Sequence, residues 1–135
     1  MEFPKVNFRS EKSCFEALLK LVHPAGFGCP RCQASGGMQI HENHRQPWHI
    51  RYRCSLCNKE FNVWTGIRLH GTHRPPSEIL RIMQGIVKGK SNSQMARELK
   101  RNRGKLAQFR RNIQQWIVSM FGPPPKKAPF RRGQN

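Results

Sequence analysis

A small α+β fold is what this sequence predicts, and three features predict it. Two Cys-x-x-Cys pairs, Cys29-Pro-Arg-Cys32 and Cys54-Ser-Leu-Cys57, frame a segment with strand-like alternation. After Pro75-Pro76 the pattern changes to helical periodicity, which lasts to Met120. Gly122 and the prolines after it then open a basic tail. Three parts follow: residues 1–74 with a helix and a cysteine-rich sheet, 75–121 with three helices, and 122–135 as a disordered tail.

Four thiolates in two such pairs can close a tetrahedron around one Zn²⁺. Each two-residue spacer lets a tight knuckle aim both sulfurs at one point. The expected ligands are Cys29, Cys32, Cys54 and Cys57. Residues 33–53 are about as long as a β-hairpin, which returns the second knuckle to the first. A metal staple suits a chain whose hydrophobic content is 36%, low for a fold resting on one large core. With 5 cysteines in all and most of them in metal spacing, the pattern points to a reducing compartment rather than a disulfide framework. A rival assignment joins Cys54, Cys57, His70 and His73 as a ββα finger. It strands Cys29 and Cys32, and it needs a helix through Thr65-Gly66 and Gly71-Thr72, residues that oppose one.

Within the first part, Ser10 is placed to cap a helix running to Val22, with Cys14, Leu18 and Val22 on its apolar face. Cys14 reads as a small buried hydrophobe there, and His23-Pro24 ends the helix. Met38–Glu42 and His49–Arg53 read as strands joined by the polar linker Asn43–Pro47. His41, His44 and His49 read as plain polar residues of that hairpin. Phe61, Val63 and Trp64 read as a third strand packed over the metal.

In the second part, Ser77 is the expected cap of a helix to Lys88 that Gly89 stops. Ser91 and Gln94 form a capping box for a short helix carrying Met95, Ala96 and Leu99. Asn102 caps the third, where Leu106, Phe109, Ile113, Trp116, Ile117 and Met120 make an apolar stripe. The tight Lys100-Arg101-Asn102 connection matches a helix-turn-helix.

The charge says what such a unit would meet. Lys and Arg number 25 against 7 acids, a net charge of +18, with a pI of about 11.1. Nucleic acid is the usual partner of such an excess. A membrane surface is the rival, but no apolar run nears the roughly 20 residues of a spanning helix, and no lipidation motif is present. The start, Met-Glu-Phe-Pro-Lys-Val, is not a signal peptide. There is no aspartate, and the glutamates are scattered singly. Two-metal phosphoryl-transfer sites need clustered carboxylates, so no enzyme activity is expected of these residues.

The outward face of the third helix holds Gly104, Ala107, Gln108, Arg111 and Gln115. Arg103, Lys105, Arg110 and Asn112 lie on its flanks. Gly and Ala permit close approach to a groove floor, while Gln pairs with adenine edges and Arg with guanine edges and phosphates. Lys100, Arg101 and Asn102 at the turn join this expected duplex-DNA surface. Arg31, Arg51 and Arg53 of the ribbon, and Lys126, Lys127, Arg131 and Arg132 of the tail, would add phosphate contacts.

The run Cys14…His23-Pro24…Gly28-Cys29-Pro30-Arg31-Cys32, then Tyr52-Arg53-Cys54…Cys57…Phe61…Val63…Gly66…His70-Gly71-Thr72, resembles the N-terminal zinc ribbon of a group of bacterial insertion-sequence transposases. Related Merlin-type eukaryotic elements share it. In that family a helix-turn-helix follows, to which Ser91-Asn-Ser-Gln-Met-Ala-Arg-Glu-Leu99 is similar. Family members continue into an RNase H-like domain with an acidic catalytic triad, whereas residues 121–135 are all that follow Met120 here. Members also usually have small residues where this chain has Lys100-Arg101. The resemblance therefore implies DNA end recognition beside a catalytic transposase subunit or domain. A stand-alone transcription regulator of the same fold and a binder of structured RNA are the other two readings. The expected location is the bacterial cytoplasm, on the nucleoid, or the eukaryotic nucleus.

Overall fold

A computed structural model describes residues 2–24, 26–29, 31, 50–65, 69 and 72–124, together with the backbone of 38–41. The described elements are α1 (Glu11–Val22), β1 (Met38–His41), β2 (Arg51–Arg53), β3 (Glu60–Phe61), α2 (Pro76–Lys88), α3 (Asn92–Leu99) and α4 (Arg103–Phe121). The chain forms two compact units. One is Val6–Ser77, and the other joins Met1–Lys5 to Glu78–Asn135. The class is the small α+β fold that the cysteine spacing and the change of periodicity predict.

In the first unit, the Ser10 side chain accepts from the Ser13 amide at 3.1 Å and starts α1. Cys14 and Leu18 are fully buried on its inner face, and Phe15 meets Trp64 edge-on at 6.2 Å. The His23 amide closes the helix on the Leu19 carbonyl at 2.9 Å. The His23 ring then donates from Nε2 to the Val63 carbonyl at 2.6 Å, since a carbonyl can only accept.

The sheet is antiparallel in the order β1-β2-β3, with Gln39 opposite Tyr52, a register shift between Gln39 and His41, and Arg53 opposite Glu60. Its third strand stops earlier than the apolar run suggests. Asn62 ends it: the Asn62 side chain accepts from the Trp64 amide at 2.8 Å, and the Asn62 amide donates to Thr65 Oγ1 at 2.9 Å. Val63 and Trp64 are buried, but in a turn. An Asx turn competes with the ladder for these amides and wins.

In the second unit, α2, α3 and α4 bury Ile79, Ile82, Met83, Ile86, Met95, Leu106, Ile113 and Ile117. Phe109, Trp116 and Met120 are only half-buried, so the apolar stripe of α4 is wider than the part of it that packs. The helix α2 begins one residue before the expected cap, with Pro76 in the first turn, where a missing N–H costs nothing. Ser77 is not the cap. Its amide and hydroxyl both donate to the Glu11 carboxylate, at 2.9 and 2.5 Å, a contact inside the first unit, which ends at Ser77.

Two helices end in the same motif. Gly89, at φ 76°, closes α2 with its amide on Ile86 and the Lys90 amide on Gly85. Lys100 does the same for α3 at φ 55°, with its own amide on Arg97 and the Arg101 amide on Ala96. A side chain with a Cβ holds a conformation that normally selects glycine. Asn102 then caps α4 through the Lys105 amide at 2.9 Å, as its position predicts.

Candidate functional site

Three of the cysteines converge. The sulfurs of Cys29, Cys54 and Cys57 all lie within 4.8 Å of one another, and Cys29 and Cys57 are 3.5 Å apart. None is in a disulfide. A tetrahedral thiolate site with metal–sulfur bonds of about 2.3 Å has edges of about 3.8 Å, so the spacing and the soft donor set fit a metal.

The second knuckle has the turn geometry that such a site needs. The Cys54 carbonyl accepts from the Asn58 amide and the Cys54 amide donates to the Lys59 carbonyl, both at 2.9 Å. Asn58 takes φ 63°, a left-handed position that asparagine tolerates. The Leu56 amide donates to Cys54 Sγ at 3.4 Å, stabilising negative charge on the sulfur. Leu56 itself projects from the knuckle tip and is 78% exposed.

An aromatic floor backs the cluster. Phe61 is buried with Cys29 and Cys54, and Phe27 and Tyr52 pack against them. Ring centroids of Phe27 and Tyr52 are 5.1 Å apart, and those of Phe27 and Phe61 5.4 Å. The floor keeps water from two of the sulfurs, since Cys29 and Cys54 are each 2% exposed. Cys14 is buried elsewhere, with its Sγ 3.5 Å from the Asn7 carbonyl, in the packing role its position on α1 predicts.

Residues 9–60 match the family model of a transposase zinc-ribbon domain. The matched stretch contains both Cys-x-x-Cys pairs. No curated protein and no solved structure matches the chain. Cys32, the remaining sulfur of the ribbon, lies outside the described residues, as do His44, His49 and His70. His73 is described and exposed.

The ribbon's basic residues divide into two groups. Arg31 is exposed. Arg51 and Arg53 share Glu60: Arg53 donates to one carboxylate oxygen at 3.1 Å and Arg51 to the other. These hydrogen bonds, Arg53's first and Arg51's second, hold the Glu60 carboxyl below its ordinary range. The strand register sets this pairing, because Glu60 stands directly opposite Arg53.

The turn and α4 hold the remaining predicted contacts, and several of these residues already have partners. Arg101 pairs with Glu78, a carboxylate only 6% exposed. The Asn102 side chain is occupied as the cap, and Arg103 donates to Ser93 Oγ at 3.2 Å. Lys100, Lys105, Arg111 and Asn112 are exposed, as are Gln108 and Gln115, and their side chains make no hydrogen bond among the described residues. Lys126, Lys127, Arg131 and Arg132 lie outside the described residues.

Sequence reasoning set Arg110 on a flank, and the structure gives it a different task. Its guanidinium donates to the Lys90 carbonyl at 2.7 Å, to Asn92 Oδ1 at 3.1 Å and to Gln114 Oε1 at 2.9 Å. Burial lowers its pKa from the ordinary guanidinium value. The signal was available in the helical period, which places residue 110 beside the buried stripe of residues 106, 113 and 117.

Proposed function

We propose that this chain binds duplex DNA through α4, and that its ribbon holds one structural Zn²⁺ through Cys29, Cys32, Cys54 and Cys57. One observation carries the DNA reading. The outward face of α4 has cations and amides and no acid, while Glu78 and Glu98, the acids of α2–α4, are each paired with a cation of the same unit. A face that only solvates a bundle mixes its signs.

The helix start points the same way. Its first turn contains Arg103 and Lys105 and no acidic residue. Cations beside the positive end of a helix dipole are unfavourable alone and favourable against phosphate. The short connection from Leu99 to Arg103 supports a helix-turn-helix, with α4 as the helix that enters the major groove.

In this reading residues 1–74 form the zinc ribbon, which adds phosphate contacts through Arg31, and residues 75–121 form the helix-turn-helix. The tail, 122–135, adds further phosphate contacts through Lys126, Lys127, Arg131 and Arg132. The zinc closes the ribbon and does no chemistry on DNA, because a four-thiolate shell leaves no open position. Strand cleavage belongs to a catalytic transposase subunit or domain, since these residues contain no aspartate and no carboxylate cluster. The protein then works where DNA is, on the nucleoid of a bacterium or in a eukaryotic nucleus.

Binding measured on a selected site and on random duplexes, at several salt concentrations, tests this. Gln108→Ala and Arg111→Ala should each cost about 1–3 kcal/mol on the selected site and much less on random DNA. Replacing the tail cations should weaken all duplexes alike and lower the salt slope by about 0.9 for each phosphate no longer neutralised. Equal weakening of selected and random DNA by the two α4 variants would reduce the helix to a charged surface.

A further inference from the structure

The fold leaves only part of α4 free to read a base, and that part has a definite chemistry. Asn102 is taken up by the cap, Arg103 by Ser93, and Arg110 by Lys90, Asn92 and Gln114. At 3.6 residues per turn, Gly104, Gln108, Arg111 and Gln115 share a wedge of about 60° on the helix surface. That wedge lies opposite the buried residues Leu106, Ile113 and Ile117. Lys105 and Asn112 fall to one side of it, where a groove wall and its phosphates would be. The two hydrogen bonds that Arg110 sends outside its own helix, to Lys90 and Asn92, fix the roll of α4 about its axis, so the wedge is a set direction rather than an average.

We infer that Gln108 and Arg111 read an adenine and a guanine on adjacent base pairs of the target. The proposal rests on the DNA reading above and deepens it. The two residues are about 4.5 Å apart along the helix axis, close to the step of about 3.4 Å between successive bases of a strand. A Gln amide offers one donor and one acceptor side by side, which adenine N7 and N6 complement; a guanidinium offers paired donors, which guanine N7 and O6 complement. A pyrimidine shows one polar group in the major groove and cannot satisfy either residue twice. Gly104, one turn before Gln108, removes the side chain that would hold the helix off the groove floor. Gln115 lies about 10.5 Å beyond Gln108, too far along for the same step, and falls to the neighbouring backbone.

The test uses the full zinc-loaded chain. A site is selected from random duplexes, and affinity is then measured on that site with 7-deaza-adenine or 7-deazaguanine placed at one column at a time. Both side chains are exposed on a helix and are replaced by alanine, so folding is preserved. The selected site should contain neighbouring A·T and G·C pairs. Removing the adenine N7 should weaken the natural protein about tenfold and leave Gln108→Ala unaffected. Removing the guanine N7 should do the same for the natural protein and leave Arg111→Ala unaffected. If a site is recovered but the two variants relax non-adjacent or pyrimidine columns, or remain sensitive to their own deaza base, the assignment is overturned while DNA reading stands. If no site is recovered and all duplexes bind alike, both the assignment and the sequence reading beneath it fall.

Discussion

Arg110 donates to the Lys90 carbonyl at 2.7 Å, which ties the middle of α4 to the turn that closes α2. The same guanidinium holds Asn92 at the start of α3, so one side chain touches the ends of two helices and the body of a third. Hydrogen bonds to a charged group contribute more than neutral ones, and this group is partly withdrawn from water. Arg110→Ala should destabilise the helical unit by about 2 kcal/mol. Arg110→Lys should recover only part of that, because an ammonium cannot reproduce the fork. Amide hydrogen exchange along α3 and α4 reads the effect; unchanged protection in the alanine variant would contradict it.

Metal removal should act on the other unit. Structural zinc in thiolate sites contributes on the order of 10 kcal/mol or more of apparent binding free energy at neutral pH. A strong chelator should therefore unfold the ribbon and leave the helical signal of α2–α4 largely in place. Cys29→Ser should abolish stoichiometric zinc, whereas Cys14→Ser and His73→Ala should retain it. Zinc analysis by mass spectrometry under native conditions separates these outcomes. Release of the ion by His73→Ala alone would favour the ββα-finger assignment.

Lys100 offers a substitution expected to stabilise. Its φ of 55° is penalised for a residue with a Cβ and is free for glycine. Lys100→Gly should raise the stability of the helical unit by about 1 kcal/mol, net of glycine's greater freedom in the unfolded chain. Urea unfolding followed by circular dichroism provides the measurement, and a lower midpoint would show that the lysine side chain does more than its position reveals.

The pH dependence of the α3 region has a determined sign. A hydrogen bond from Lys90, at 2.9 Å, is the largest cause lowering the Glu98 carboxyl, with Gln94 adding a further one. A carboxyl whose folded pKa lies below its unfolded value contributes stability above the unfolded pKa, near about 4.3. That contribution fades as the pH falls through the folded pKa. A carbon-detected titration should place Glu98 below free glutamate, and Lys90→Met should move it back up. A Glu98 that titrates like a free side chain in the natural protein would refute the pairing.

The cysteine spacing and the cap residues were legible in the sequence because each acts over a few residues. Ser10, Ser91 and Asn102 all cap helices through their own side chains. The capping box at Ser91 is only half made, since Gln94 turns its amide toward Glu98 instead. What stayed hidden depended on residues distant in the chain. The Glu11 carboxylate reaches Ser77, and no local pattern announces it. Gly85 was equally silent: a Cβ there would run into Met95 Sδ, so the residue that weakens α2 as a helix is what lets α3 approach it. In the same way, Arg101 reads as one more surface cation until the buried Glu78 is seen beside it.

The first residues of the chain belong with its last helices. Phe3 lies against Phe121, with ring centroids 5.5 Å apart, and Met1–Lys5 are part of the unit that otherwise begins at Glu78. The polypeptide thus passes between its two units twice, once after Lys5 and once after Ser77. Genetic shuffling that exchanges modules at a single junction would not move either unit intact. A ribbon excised with everything before residue 78 carries off the phenylalanine that covers the end of α4, and the helices left behind expose an aromatic surface. Inheritance as one block, rather than as separable parts, is built into that path.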